Sequence, residues 1–575
     1  MDNFGLLLFS TVGQPTAKTF ELSLLCTGMK SALTIICPLC LDRVDKHLYR
    51  YHLDGERKVI EQIKARNPEW SQADGACSRC VDYYHTEVVM QQRILPEIGP
   101  HFSVRSADDF IILPTGLRLD ADQRYTGKNV TICFIDSGFY PHPDLTAYKN
   151  RVKIIVDITG STGSGVNEAA SAWHGTMTSV VCAGDGYLGK GLYKGIASDA
   201  GLVLLKVQDK EGRITTASIV KALQWVIDNH SQFGIRIVNI SLGGDEVASY
   251  KQSEIDQLAE QLYGLGIIVV AAAGNDPGAA IRPPANSPHV ITVGGTDDGN
   301  KLDEMMKELY HSAFGKTTDN LMKPELLAPA MWIAAPLLPG TKEQREASVL
   351  YQLHESAAED LVKGLPDAIH ETELARDIIQ SRDPVLIRDA IVHRIQAAKY
   401  ISPHYMHVDG TSFAAPIVSA VIAQLLELNP ELKPAAVREL LFSTAKRVNN
   451  FPAERQGFGM IRPRNTLLKL LKREEFPEPP ESPRIDYQKK IISFVLRHDC
   501  AAQVSLAGNF NQWNANTLLL EPARNGLWTI DIPLLPAGKW QYKFFVDDRN
   551  WVEDVNNPYR EPDGFSGFNS LVIIE

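Results

Sequence analysis

The sequence predicts a multidomain protein: a central α/β domain with a doubly wound parallel sheet, a C-terminal all-β sandwich and a small N-terminal Cys-rich module. Three observations predict this architecture. Short apolar strands alternate with amphipathic helices from about 129 to 296, residues 487–575 alternate apolar and polar positions between Gly and Asn turns, and two CxxC pairs lie near the N-terminus. A length of 575 residues is also too great for one ordinary hydrophobic core.

The predicted strands of the central sheet are "NVTICFID", "GLVLLKV", "IRIVNISL", "GIIVVAAAGN" and "HVITVGGT". Between the second and third of them, "TASIVKALQWVIDNH" places four apolar residues on one helical face: Ile219, Leu223, Val226 and Ile227. This spacing predicts a helix that packs on the sheet.

Changes in composition along the chain predict four segments. We expect the Cys-rich module over 1–95, the α/β domain over 96–470 with a helical insertion at 337–402, a Pro- and Glu-rich linker over 471–486, and the sandwich over 487–575. The insertion is predicted because charged, helix-rich sequence interrupts the pattern of apolar strands and helices. The linker "KREEFPEPPESPRID" contains four prolines that stiffen it.

Composition excludes several classes of function. A net charge of −11 argues against a nucleic-acid footprint, which would need a basic face, so we expect no nucleic-acid partner. The N-terminal "FGLLLF" lacks a basic flank and a cleavage site, and no stretch is judged long enough for a membrane span, so we expect neither export nor a membrane partner. Because four of the eight cysteines form CxxC pairs, we expect a reducing compartment and a cytoplasmic location.

Four polar residues stand where an α/β sheet collects its functional groups. Asp136 ends the strand "TICFID", His174 stands near the start of the helix in "AWHGTMTSVVCAG", and Asn275 ends the strand "IIVVAAAGN". Ser412 in "DGTSFAAP" is predicted to begin an apolar helix, with Pro416 in its first turn, where a missing N–H costs nothing. A carboxylate, an imidazole, an amide donor and a serine at a helix N-terminus are the parts that acyl transfer needs.

The segments "FIDSG", "HGTM", "NISLGG", "VVAAAGN", "PANSPHVITVGG" and "DGTSFAAP", in this order, resemble the subtilisin-like serine peptidases across residues 120 to 465. The resemblance implies that Ser412 attacks the scissile carbonyl, that His174 takes its proton and that Asp136 orients the imidazole. It further implies that Asn275 and the Ser412 backbone N–H hold the oxyanion. The implied substrates are proteins or peptides.

By the same resemblance, two short segments would line the pocket for the substrate side chain before the cleaved bond: Ser241, Leu242, Gly243 and Gly244, and Ala272, Ala273 and Gly274. Met177 stands where the family commonly has a second histidine, so substrate contacts there are expected to differ. We expect the insertion to lie near the rim as a lid or exosite, or as a solvated decoration. The family often binds calcium, at a site that this sequence does not assign.

Two readings compete with a hydrolytic endopeptidase. One is a catalytically silent scaffold that binds glucan or protein through the flanking modules, and four intact catalytic residue types argue against it. The other is a peptide ligase, which would resolve the same acyl enzyme with an amine in place of water.

The N-terminal CxxC pairs are Cys37 with Cys40 and Cys77 with Cys80, separated by 36 residues. Two such pairs supply four thiolates to one tetrahedral ion, which favours a structural zinc site. A redox pair and a reduced buried cluster are the alternatives.

The segments "VSLAGNFNQWN", "LPAGKWQYKFFVDDRNWVEDVNNP" and "GFNSLVII" resemble the glycogen- and starch-binding early-set module of the AMP-activated kinase beta subunit. Position by position, the resemblance implies that Trp513, Lys543, Trp551 and Asn569 bind glycogen or another α-glucan. The alternative is a docking sandwich with packed aromatic residues.

Overall fold

The structure is a computed structural model, and it describes residues 34–39, 43–45, 49–50, 57–71, 74–77, 80, 84, 112–160, 169–244, 246–302, 307–368, 370–472 and 480–574. In the N-terminal part, short strands pair as two antiparallel ladders next to one helix. These elements are β1 (Thr34–Ile36), β2 (Arg43–Asp45), β3 (Tyr49–Arg50), α1 (Arg57–Arg66) and β4 (Ala76–Cys77).

A nine-stranded sheet forms the centre of the molecule. Its order is β18-β14-β10-β9-β8-β5-β7-β6, all parallel, and a short β11 is antiparallel to β10. The strands are β5 (Thr131–Asp136), β6 (Val152–Asp157), β7 (Gly201–Lys206), β8 (Ile235–Ile240), β9 (Ile268–Ala272), β10 (Ile291–Asp297), β11 (Glu308–Leu309), β14 (Leu326–Pro329) and β18 (Gly459–Met460), and the hairpin β12 (Gly315–Lys316) and β13 (Met322–Lys323) lies between β11 and β14. The five strands predicted from the sequence are β5, β7, β8, β9 and β10.

Helices cover both faces of this sheet, so its central strands, such as β5 and β8, are buried on both sides. One hydrophobic core lies under α4 and α11, and a second lies under α5 and α6, where Ile219, Leu223 and Val226 are buried as their spacing predicts. The helices are α2 (Thr115–Arg118), α3 (Pro143–Thr146), α4 (Ala169–Ala183), α5 (Thr216–Phe233), α6 (Glu254–Gly264), α11 (Thr411–Leu428), α12 (Pro434–Thr444) and α13 (Pro463–Leu471).

The segment between the sheet and α11 folds around a hydrophobic core of its own. Its helices are α7 (Lys342–Glu355), α8 (Ala358–Ala368), α9 (Arg376–Ser381) and α10 (Pro384–Ala397). A three-stranded antiparallel sheet closes its base, formed by β15 (Ile333–Pro336), β16 (Tyr400–Ser402) and β17 (Tyr405–Val408). Because Ile333 pairs with Val408, the chain leaves and re-enters the α/β domain at one point, next to the start of α11.

The C-terminal part is a sandwich of two antiparallel sheets packed face to face over one core. One sheet contains β19 (Arg484–Asp486), β20 (Ile491–Arg497), β22 (Glu521–Pro522) and β23 (Leu527–Pro533). The other contains β21 (Val504–Gly508), β24 (Gly538–Val546), β25 (Asn550–Val552), β26 (Arg560–Pro562) and β27 (Phe568–Ile574).

The sandwich is docked on the α/β domain through buried charged groups. Arg497 of β20 forms an ion pair with Glu439 of α12 at 2.9 Å, and both side chains are 2% exposed. Arg560 of β26 lies over the ring of Phe458 from the α/β domain and over Phe568 of its own sandwich, at 4.2 and 4.7 Å. Charges with so little solvent contact require defined partners, so these contacts fix the position of the sandwich.

The length and composition of α11 would also suit a membrane span, contrary to the sequence-based expectation that no stretch is long enough. Within the part of the chain that the structure describes, it is the one such helix, and 83% of it is buried inside the protein.

Candidate active site

Asp136 and His174 meet at the carboxyl end of β5. His174 Nδ1 lies 2.7 Å from Asp136 Oδ1, and the carboxylate also accepts hydrogen bonds from the Ser137 N–H (2.7 Å) and the Thr178 hydroxyl (3.1 Å). Asp136 is 1% exposed. Three donors therefore hold one buried carboxylate in a single orientation, and it in turn fixes the imidazole.

His174 is the sixth residue of α4 and lies farther into the helix than the sequence predicts. The next residue explains the close approach of this helix to β5, because a Cβ at Gly175 would lie 2.3 Å from the Gly138 carbonyl oxygen. A glycine is required at this contact.

The pKa of His174 is raised above its ordinary value. Burial of the imidazole lowers this pKa, but the charge of Asp136 and its hydrogen bond outweigh burial and stabilise the protonated ring. A histidine in this setting is a stronger base than a free imidazole.

Ser412 is half-buried in the first turn of α11. Its backbone N–H makes no hydrogen bond with the described residues, and its hydroxyl donates to the Ser241 carbonyl oxygen at 3.3 Å. Between His174 and Ser412 the structure has no hydrogen bond, although the rings of His174 and Phe413 lie 5.9 Å apart. The site therefore brings the two residues into one region without joining them.

Pro416 is the sixth residue of α11, not a residue of its first turn as the sequence predicts. Its missing N–H therefore leaves the carbonyl of Ser412, four residues earlier, without its helical donor. The Ser241 hydroxyl donates to that carbonyl at 2.9 Å. Ser241 and Ser412 thus exchange two hydrogen bonds, and the proline makes room for one of them.

Asn275 is exposed just beyond β9, and its side chain has a fixed orientation. Its Oδ1 accepts hydrogen bonds from the Thr411 N–H and the Thr411 hydroxyl, both at 2.9 Å. The Nδ2 group consequently points away from Thr411 and donates to no residue that the structure describes. Two unused donors, Asn275 Nδ2 and the Ser412 N–H, flank the start of α11.

The residues predicted to line a side-chain pocket follow two neighbouring strands. Ser241–Gly244 come directly after β8, and Ala272–Gly274 end and follow β9, which is parallel to β8. The Gly244 N–H donates to the Pro283 carbonyl at 2.8 Å, and a Cβ at Gly274 would lie 3.5 Å from Ala313. Both segments lack large side chains except Leu242, as a pocket wall requires.

Two aromatic or apolar residues near His174 differ in their surroundings. Met177, expected to alter substrate contacts, is 5% exposed and belongs to the core under α4. Trp173 is 46% exposed, and its ring stands edge-on to His174 with centroids 5.2 Å apart. The sequence analysis did not single out Trp173, although its position next to His174 in "AWHG" could have indicated it.

Two models of known families match this chain. The model of the subtilase family, peptidase S8, matches residues 127–459, which is more than half of the chain, so the protein belongs to the subtilase family of serine peptidases. A second model, the glycogen recognition site of AMP-activated protein kinase, matches residues 492–574.

Individual proteins and solved structures are similar to parts of this chain. The chain is 28% identical to serine protease AprX of Bacillus subtilis over 360 residues, 60% of this chain and 67% of AprX. It is 28% identical to subtilisin BL of Lederbergia lenta over 30% of this chain and 58% of that protein. Among solved structures, fervidolysin of Fervidobacterium pennivorans matches with a TM-score of 0.42 and 18% identity, over 75% of this chain and 55% of fervidolysin.

The structure describes only part of the predicted zinc site. Cys37 and Cys80 are buried with their sulfurs 3.7 Å apart, Cys40 lies outside the described residues, and the side chain of Cys77, in β4, is not among those described. Two sulfurs at 2.3 Å from one tetrahedral zinc ion lie about 3.8 Å apart, so the Cys37–Cys80 spacing fits the ion. Within the described ranges, no three His, Cys, Asp or Glu side chains group as a metal site, so zinc and calcium stay predictions.

The predicted sugar-binding residues lie around the second sheet of the sandwich. The rings of Trp513 and Trp551 are nearly perpendicular with centroids 6.0 Å apart, and Trp551 is exposed. Lys543 and Asn569 already have partners: Lys543 is buried in an ion pair with Asp563, and Asn569 donates to the Gln541 side chain at 3.0 Å.

Asp563 also accepts hydrogen bonds from the backbone N–H groups of Phe565 and Gly567, at 2.7 and 3.0 Å. The loop from Asp563 to Gly567 is thereby anchored, and its tip carries Phe565, which is 90% exposed. Lys543 acts on this loop through Asp563, and Phe565 is a further apolar surface that the resemblance did not assign to binding.

We predict that Ser241→Ala destabilises the protein and that Pro416→Ala restores part of the loss. The single substitution leaves the Ser412 carbonyl without a donor, which costs about 1–3 kcal/mol in the free energy of unfolding. The second substitution supplies a helical N–H to the same carbonyl. Urea unfolding in a His174→Ala background, which removes self-cleavage, measures both, with Pro416→Ala alone as the control. Equal stability of Ser241→Ala and the double variant would contradict this account.

Proposed function

We propose that this chain is a serine endopeptidase in which Asp136, His174 and Ser412 form the catalytic triad and Asn275 supplies an oxyanion donor. The observation that carries the proposal is the 2.7 Å contact between His174 Nδ1 and Asp136 Oδ1, in the same region as the first turn of α11, which contains Ser412. Asp136 fixes which imidazole nitrogen carries the proton, and Nε2 is left to act as the base.

In the proposed first step, a bound peptide moves the Ser412 hydroxyl from the Ser241 carbonyl to His174. Ser412 Oγ then bonds to the scissile carbonyl carbon while its proton passes to His174 Nε2. The carbonyl oxygen becomes an oxyanion, which accepts hydrogen bonds from Asn275 Nδ2 and the Ser412 N–H, two donors that have no partner among the described residues.

Collapse of the tetrahedral intermediate breaks the C–N bond, and His174 gives its proton to the departing amine. Water then attacks the acyl enzyme, with His174 again as the base, and releases the acid and Ser412. We propose water as the acceptor because the family is one of peptidases, and a ligase would need an amine in its place.

We predict that a fluorophosphonate probe labels the protein and that Ser412→Ala abolishes labelling. Ser231→Ala is the control, because Ser231 is an exposed serine of α5 that takes no part in the hydrogen bonds around Ser412. The labelling rate should fall at acidic pH with a midpoint above about 6.5, the ordinary pKa of histidine. In Asp136→Asn, where burial alone acts on the imidazole, the midpoint should move below that value.

Folded protein that does not label, or labelling that persists in Ser412→Ala, would overturn the proposal. The first outcome would favour the silent scaffold. Hydrolysis of a peptide ester compared with and without an added amine then separates peptidase from ligase, since only a ligase turns most of the acyl enzyme into amide product.

We propose as a second function that the sandwich binds α-glucan through the faces of Trp513, Trp551 and Phe565. Aromatic faces stack on the apolar faces of sugar rings, and the anchored loop from Asp563 to Gly567 presents the third ring without a large ordering cost. The match of residues 492–574 to a glycogen recognition model supports this ligand class.

We predict that replacing Trp551 by alanine weakens retention on glycogen in affinity electrophoresis by about fivefold or more, since one aromatic contact contributes about 1 kcal/mol. Tyr148→Ala is the control, because Tyr148 is 83% exposed and lies in the α/β domain. If glycogen retained both variants equally, the proposal would be wrong and the sandwich would be a docking domain that does not bind sugar.

We also propose that Cys37, Cys40, Cys77 and Cys80 hold a structural zinc ion, as the 3.7 Å Cys37–Cys80 spacing supports. The ion would cross-link the N-terminal strands and stabilise that part of the fold. We predict about one zinc per chain by mass spectrometry of the metal, and loss of it in Cys37→Ser/Cys80→Ser but not in the control Cys500→Ser, which changes an exposed thiol elsewhere. Unchanged zinc in the double variant would contradict the site.

A further inference from the structure

A charged residue stands beside the proposed side-chain pocket. The Cβ of Arg282 lies 3.8 Å from the position of a Cβ at Gly243, and the carbonyl of the next residue, Pro283, accepts the Gly244 N–H at 2.8 Å. The segment that contains Arg282 is therefore bonded to the backbone of one pocket wall.

Arg282 differs from its neighbours in exposure. Ile281 and residues 283 to 287 are buried, and Arg282 is the one exposed side chain of this run. The buried neighbours fix the backbone of Arg282 against Gly243, and the Arg282 side chain is exposed beside this pocket wall.

Among the residues that the structure describes, the guanidinium of Arg282 has no hydrogen bond or ion pair. In the adjoining loops, Asp276 accepts the Gly278 N–H at 2.8 Å and Glu246 is exposed, and neither pairs with Arg282. By contrast, Arg118 of the same domain is paired with Asp298 at 2.7 Å. Arg282 thus offers five donors and a full charge to a ligand.

The residues predicted to line the pocket carry no charge: Ser241, Leu242, the glycines and the alanines are neutral, and the Ser241 hydroxyl is already committed to Ser412. Arg282 adds a cation at this neutral wall, with the planar geometry that carboxylates match.

We infer that Arg282 determines specificity and that the enzyme prefers peptides with Glu or Asp immediately before the cleaved bond. This assignment rests on the proposed peptidase function and adds the class of substrate. Pairing with the substrate carboxylate strengthens binding of the ground state and the transition state alike, so the preference should lie mainly in KM.

The test compares cleavage of peptides that differ only at that position. A peptide library is first digested and its cleavage sites are mapped by mass spectrometry. Then kcat/KM is measured for matched Glu, Gln and Lys peptides. We expect Glu to be favoured over its neutral isostere Gln by about tenfold, equivalent to about 1.4 kcal/mol, and less so at high salt.

Arg282→Gln should bring the Glu/Gln ratio close to one, and Arg282→Glu should favour Lys. Arg484→Gln is the matched control, since Arg484 is also exposed but lies in the sandwich. If Arg282→Gln still cleaves the library and its Glu/Gln ratio of kcat/KM is unchanged, the role of Arg282 is overturned but the peptidase function is not. A library left uncut by enzyme that has the native fold overturns the proposed function and this assignment with it.

Discussion

The position of the candidate nucleophile depends on the exchange of two hydrogen bonds between β8 and α11. Pro416 removes the helical donor of the Ser412 carbonyl, and the Ser241 hydroxyl replaces it, while the Ser412 hydroxyl donates to the Ser241 carbonyl. Behind this pair, Asn239 of β8 donates to Ser241 and accepts from Ser419 of α11. A polar seam thus locks an otherwise apolar helix in register with the sheet, because sliding would leave several buried groups unpaired.

The large insertion before α11 is attached to the α/β domain through a small base of its own. The segment from Lys342 to Ala397 has its own core, and its two ends meet where β15 pairs with β17, directly before the turn into α11. The Tyr405 hydroxyl binds Asp144, so the base of the insertion is also fastened to the segment that follows β5. Variation in the insertion is therefore separated from the nucleophile by this fastened base.

The sequence was sufficient for the five predicted strands of the sheet and for placing Asp136 at the end of one and Asn275 just beyond another, because strands and their ends have local signals. It was insufficient where the decisive partner is distant along the chain. The donor that replaces the N–H of Pro416 lies 175 residues earlier, in Ser241. Lys543 was predicted to bind sugar, yet Asp563 neutralises it, and Met177 was expected to alter substrate contacts, yet it is buried in the core under α4. The Pro- and Glu-rich linker suggested that the sandwich is only loosely attached. Composition could not reveal that Arg497 and Arg560, which follow the linker, bind the sandwich to the α/β domain.

That fastening determines how the two functions would act together. In a tethered enzyme the reach from anchor to cleavage site is set by the length and stiffness of the tether. Here Arg447 adds a two-pronged contact with Glu553, at 2.8 and 2.9 Å, to the buried pair of Arg497 and Glu439. A glucan surface held by the aromatic face would therefore meet the cleft at one distance and one angle. Whether a protein on that surface is cleaved would then depend on how far its cleavage site projects from the glucan and on how that site faces the cleft, as well as on its sequence.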